Sequence, residues 1–244
     1  MARAILGPQL SDLDRAEIEP QEAFTRVLKQ RFYQQRDLMH RPPDAIMLAK
    51  LDESPSTSNL LQSVPACIGW IQSEDGKSPL TAHIQAMQHS AALRLIGDIS
   101  KRYLVRGTDI AAHISAWVWS LLARLDDVGT LNNDQVWRVR ALGRQAILVQ
   151  LSFQDPSAAE QLELVASEGE LTTAPVVSRS CEEPPPLIDD VAGGSDQVTN
   201  EVNATDSDPG LRQNTLATLD TIIVVVGEAF GQRDLLEFRQ TWNT

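Results

Sequence analysis

Residues that commonly carry chemistry are few in this chain, and they are scattered. There are two cysteines, Cys67 and Cys181, with no CxxC or CxxxH spacing, so a zinc site has no framework. A disulfide between them would have to tether an acidic tract, which favours reduced thiols in an intracellular protein. The four histidines are His40, His83, His89 and His113. His40 sits beside a Pro-Pro break, and the others fall on predicted helices with no carboxylate at a metal-binding i+4 position. No GxSxG elbow occurs. Asp126 and Asp127 end a predicted helix where the dipole does not favour acids, and two carboxylates alone are weak evidence for acid–base work. Gly69 and Gly76-Lys77-Ser78 are similar to a phosphate-binding loop, but six residues separate the glycines instead of four. No strand precedes them, and Pro79 follows at once. No catalytic residue, cofactor or metal site is therefore expected.

Other absences bound the setting. Met-Ala-Arg-Ala-Ile-Leu-Gly-Pro at the start lacks the apolar run of a signal peptide. No stretch approaches the roughly 20 apolar residues that span a bilayer, so a soluble intracellular protein is expected. There is no basic excess either: the net charge of −12 argues against direct binding to nucleic acid or anionic membrane and favours a basic protein partner. Between Asp155 and Gly210 stand thirteen acidic residues and one basic residue, Arg179, so the rest of the chain is electrically balanced. That tract contains Pro184-Pro-Pro186 and no aromatic residue. It cannot bury enough apolar surface to offset an ordering cost of about 1–2 kcal/mol per residue. Residues 155–211 are expected to be a disordered acidic insertion.

What is present is helical periodicity. The chain centres on Ile110 to Leu125, where Ile110, Ile114, Trp117, Val118, Leu121, Leu122 and Leu125 share one helix face. A second stripe runs through Ala112, Ala116, Trp119 and Ala123, which predicts an enclosed central helix. Before it, apolar positions from Leu80 to Tyr103 predict one helix over Pro79–Tyr103, ended before Gly107, with Thr108 or Asp109 capping the central helix. After it, Asn132 or Asn133 caps a third helix with Val136, Val139, Leu142, Ala146 and Val149 inward. Trp137 lies beside that row, and Arg138, Arg140 and Arg144 form a basic flank. Such a flank is either a solvated face or the contact for an acidic surface, the chain's own acidic tract included.

Leu216, Leu219, Ile223, Val226 and Phe230 predict a fourth helix. The run Ile222–Val226 has β propensity, but the helical spacing extends over about fifteen residues and decides for helix. Gly231 ends it, and Asp234 is placed to cap a last turn through Leu235, Leu236, Phe238 and Trp242. Upstream, Phe24, Val27, Leu28 and Phe32 share a helix face beginning at Pro20 and ended by Arg41-Pro42-Pro43. Asp44 to Ala49 adds a short apolar segment. Two placements stay open for this part: packed on its own domain, or an amphipathic arm laid in a partner's groove. The reading is an all-α helical bundle of 79–153 joined to 212–244. It has an N-terminal extended and helical arm over 1–50, a linker at 51–78, and the insertion before the last helix.

With its parts assembled, the sequence resembles the survival-motor-neuron-interacting protein family (the second Gemin). Pro43-Asp44-Ala-Ile46 and Ala49, after the helix with Val27, are similar to the family's "PDVVVA" segment. Trp117-Val-Trp-Ser-Leu-Leu-Ala-Arg-Leu125, followed by the arginine-flanked Val136 to Ala146, resembles its "W-aromatic-x-LLA-x-L" block. Phe230-Gly-Gln-Arg-Asp-Leu235 resembles its "F-x-QRDL" ending. The resemblance implies a non-enzymatic assembly chaperone. It would bind the N-terminal helix of the SMN protein and a partial ring of Sm proteins for assembly of spliceosomal small nuclear ribonucleoproteins, in cytoplasm and nucleus. It implies Sm contacts on the arm at Phe24, Val27, Leu28, Pro43, Asp44 and Ile46. It implies SMN or Sm contacts, D-type Sm proteins among them, on the bundle at Trp117, Trp119, Trp137, Arg138, Arg140, Arg144, Phe230, Arg233, Asp234 and Leu235. The sequence departs from longer members in its short link between Ala49 and Pro79 and in its long acidic insertion. The alternative is a generic helical adaptor whose groove receives an amphipathic peptide of another complex, and self-association stays open.

Overall fold

The computed structural model describes residues 19–53, 63–73, 78–161 and 208–242. Among them lie α1 (Pro20–Met39), α2 (Ala45–Glu53), α3 (Val64–Ile71), α4 (Thr81–Ala86), α5 (His89–Tyr103), α6 (Ala112–Arg124), α7 (Asn133–Ser152), α8 (Pro209–Ala229) and a 3₁₀ segment (Arg233–Phe238). No strand occurs among the described residues, and the Ile222–Val226 run is helical. Local chemistry sets several ends. Asn132 accepts from the Gln135 amide while Gln135 accepts from that of Asn132, each at 2.9 Å, a reciprocal cap for α7. Gly231 leaves α8 with φ +72°, a conformation a side chain would strain.

The central helix is enclosed, as its two stripes require. α6 packs against α1, α4, α5 and α8, and Trp117, Leu121 and Leu122 have no appreciable exposure. α7 runs along α8, pairing Val139, Leu142 and Ala146 with Leu219, Ile223 and Val226 in one core. The 3₁₀ segment closes over both, inserting Leu235.

Four local expectations change. The helix predicted over Pro79–Tyr103 is two helices, because Met87 and Gln88 are both extended (ψ 134° and 143°). The apolar period survives the break because one core receives both pieces, burying Ile84 and Met87 from one side and Leu95 and Ile99 from the other. α6 is capped by neither Thr108 nor Asp109, since Ala111 holds the capping position. Asp109 instead accepts from the Thr215 hydroxyl at 3.2 Å, and Thr215 accepts from the buried Ile110 amide at 2.7 Å. Within 51–78, read as linker, α3 starts on a Ser63 cap and buries Cys67, Ile68 and Ile71 against α5. Finally, the first residues of the stretch read as an insertion are ordered: 156–161 are helical, with Ala159 buried. At its other end Asp208 caps α8 and 209–211 are that helix's first residues, and the remainder of the stretch, 162–207, like the N-terminal residues 1–18, falls outside the described residues.

Of the two placements left open for 20–39, the chain takes the first. α1 buries Leu28, Phe32 and Met39 in the bundle, and Phe32 meets Trp119 edge-on with centroids 5.4 Å apart. Buried Arg36 donates to the Leu125 carbonyl at 2.8 Å, satisfying an acceptor left open at the end of α6. The chain's end returns over the same helix. Trp242 packs tilted against Phe24 with ring centroids 5.1 Å apart, and Arg239 donates to Thr25 Oγ1 at 2.7 Å.

Candidate functional site

Burial sorts the expected contact residues. Trp117, Phe230 and Leu235 lie inside the core, so their side chains are closed to a partner. Leu28 is buried too, and Phe24 is half-covered by Trp242. Val27, 47% exposed, and Ile46, 66% exposed, still face outward on α1 and α2. Asp44 starts α2, accepting from the Ile46 amide at 2.9 Å, and Pro43 beside it is half-buried.

Arg140 and Asp234 satisfy each other. Two bonds of 2.9 and 2.6 Å join them, and Arg140 also donates to Gln232 Oε1 at 2.7 Å. Asp234 therefore anchors the 3₁₀ segment to α7 instead of capping it, and Gln232 holds the capping position without a side-chain bond. The hydrogen bond from Arg140 holds the Asp234 carboxyl below the usual range and raises the guanidinium in turn. Arg233 beside them is exposed.

Two further surfaces among the described residues are open to a partner. The first is a groove of about 750 Å³ between α1, α6 and α8. Leu28 and Leu38 form one wall, half-buried Trp119 with Val118 and Leu122 the floor, and Ile222 with Thr218 the other wall. The second is the outer face of α7. Trp137 is 56% exposed there, with Arg138 and Arg144 exposed beside it. Ala141, Arg144 and Leu148 continue its stripe at helical spacing. Leu148 and Gln145 then share a cavity of about 380 Å³ with Lys101, Val105 and Arg106. The reading from sequence missed this continuation, since nothing local links Lys101 to Leu148 forty-seven positions on.

The sequence also gave no sign of the Cys67–His83 pair, 3.7 Å between Sγ and Nε2. Burial pushes the Cys67 thiol up to about 11, so at neutral pH the sulfur is protonated and is no nucleophile. The pair is core, edge-on to Trp117 through His83.

A family model, Survival motor neuron (SMN) interacting protein 1 (SIP1), matches residues 7–233. The chain belongs to this family. No curated protein and no solved structure matches it. The SMN interacting protein 1 family is one of protein-interaction scaffolds and not of enzymes, and its helical surfaces are therefore where function is to be sought.

Proposed function

We propose that this protein is a scaffold of the SMN complex that takes the N-terminal helix of SMN on the outer face of α7. It also holds Sm proteins during assembly of spliceosomal small nuclear ribonucleoproteins, in cytoplasm and nucleus. Family membership supports the SMN role. The observation that favours this face is Trp137, a large aromatic left more than half exposed between Arg138 and Arg144. Tryptophan and arginine are enriched among the hot spots of protein interfaces, and the arginines would pair with acidic residues of the SMN helix. For the arm, Val27 and Ile46 are the side chains open to Sm subunits, and the bundle would meet the D-type Sm proteins.

The test is titration of the purified protein with an SMN N-terminal peptide by calorimetry, and gel filtration with D-type Sm proteins. Trp137→Ala and Arg144→Glu should each weaken the peptide by about 2 kcal/mol, roughly thirtyfold, while Trp119→Ala leaves it intact. No peptide binding and no co-migration with Sm proteins would sink the proposal.

A second reading rests on the α1–α6–α8 groove, whose apolar floor suits an amphipathic helix. There the protein is an adaptor for a peptide of another complex. It predicts the reverse pattern, with Trp119→Ala losing the ligand and Trp137→Ala keeping it.

A further inference from the structure

The α5–α7 face is basic on a protein that is acidic overall. Lys101, Arg102, Arg138 and Arg144 are all exposed on it, and Arg106 lines the cavity with Lys101. Asp98 on α5 and Asp134 on α7 are the acids on the outward sides of these two helices, against Arg94, Lys101, Arg102, Arg138 and Arg144, so the two helices keep an excess of three positive charges.

We propose that residues 162–207 of this chain dock in cis on the α5–α7 face. Three observations favour this occupant. Charge is the first: the segment holds ten acidic residues, Glu182, Glu183, Asp189 and Asp190 among them, against the single Arg179. Position is the second. The segment leaves just after the helical turn at 156–161, and the loop carrying Arg106 abuts the end of α7, where the Gly107 amide donates to Ser152 Oγ at 3.3 Å. Its other end is fixed nearby, because Arg212 in the first turn of α8 stacks 3.8 Å over the Phe153 ring and pairs with Asp109. Length is the third. Trp137 to Ser152 covers about 23 Å of helix. Forty-six residues reach roughly 75 Å out and back, so every charge on the face is within range. A tether makes the encounter intramolecular, so a free acidic peptide competes against the segment's effective concentration.

The reading does not depend on SMN, and its test contains none. The full chain is treated with a carbodiimide, which joins a lysine to a carboxylate in contact with it, and the products are mapped by mass spectrometry. Lys29, ion-paired with Glu228, is the internal positive control, and exposed Lys50 on α2 is the background. Lys101 should couple to carboxylates of 162–207 about tenfold more than Lys50 does, and the excess should vanish in 1 M salt, where the Debye length is about 3 Å. An Arg106→Glu, Arg144→Glu double variant should lose it as well, while Lys29–Glu228 coupling stays. Equal coupling at Lys101 and Lys50, or an excess unchanged by the double variant, overturns the proposal. So does a mixture of heavy and light chains in which the Lys101 products are mainly heavy–light, since that occupant would be a second copy.

Discussion

Arg239 and Asp220 lie side by side where the end of the chain crosses α8, joined by two hydrogen bonds of 2.5 and 2.8 Å. Both side chains are nearly buried, and the third guanidinium nitrogen donates to Thr25 on α1. One arginine thus ties together the last described residues, α8 and the first described helix.

Removing one partner leaves the other charge buried and alone. Asp220→Ala should cost about 3–5 kcal/mol in urea unfolding followed by circular dichroism, whereas the double variant Asp220→Leu, Arg239→Met should lose much less. Equal losses in single and double variants would mean that the pair contributes only through packing.

How far a feature could be read from the sequence followed the range of the interactions behind it. The Trp117 helix was readable because its two stripes, like the Asn132 cap, are written in neighbouring residues. The Leu216–Phe230 row was readable for the same reason, and its helical period outweighed the β propensity of Ile222–Val226. The Met87–Gln88 break carries no proline or glycine, and only the core on either side of it selects two helices over one. Arg140 was visible as a cation, but its partner Asp234 stands ninety-four positions away, so Asp234 was assigned a local cap. Trp117, Phe230 and Leu235 resemble contact residues in sequence because aromatic and leucine side chains serve cores and interfaces alike.

The 3₁₀ segment depends on two glycines. A Cβ at Gly143 would lie 2.7 Å from Leu235 Cδ1 and 3.0 Å from Val226 Cγ1, and one at Gly227 would lie 2.5 Å from Leu236 Cδ2. Gly143→Ala and Gly227→Ala should each cost about 1–3 kcal/mol from overpacking, less the roughly 1 kcal/mol that alanine gains over glycine in a helix. Chemical denaturation measures the net. Stabilisation in both variants would show that the segment moves aside at no cost.

The limits of the acidic stretch can be tested by deletion. Asp208 caps α8, its side chain accepting from the Gly210 amide at 3.0 Å, and Ala159 is packed. Excising 162–207 should leave helical content and thermal midpoint nearly unchanged. Excising 155–210 should cost at least about 0.5–2 kcal/mol through the lost cap. Identical midpoints for the two deletions would contradict a role for those flanking residues.

Cys67 gives the fold a pH dependence on the alkaline side. Its thiol ionises near 9 in an unfolded chain but is pushed up to about 11 by burial in the folded one. The folded state therefore retains a proton that the unfolded state has already lost. The stabilisation is fully present below pH 9 and is lost as pH rises from about 9 towards 11. In a Cys181→Ser background, which leaves Cys67 as the single thiol, unfolding free energy should fall across that window. Cys67→Ala, less stable at pH 7 for the methylene-sized gap it leaves, should show a flatter profile. Alkylation of native Cys67 at pH 8 should be slow and should accelerate in denaturant. Rapid native alkylation at neutral pH would show that the thiol ionises in the fold, and that the Cys67–His83 contact is more than core.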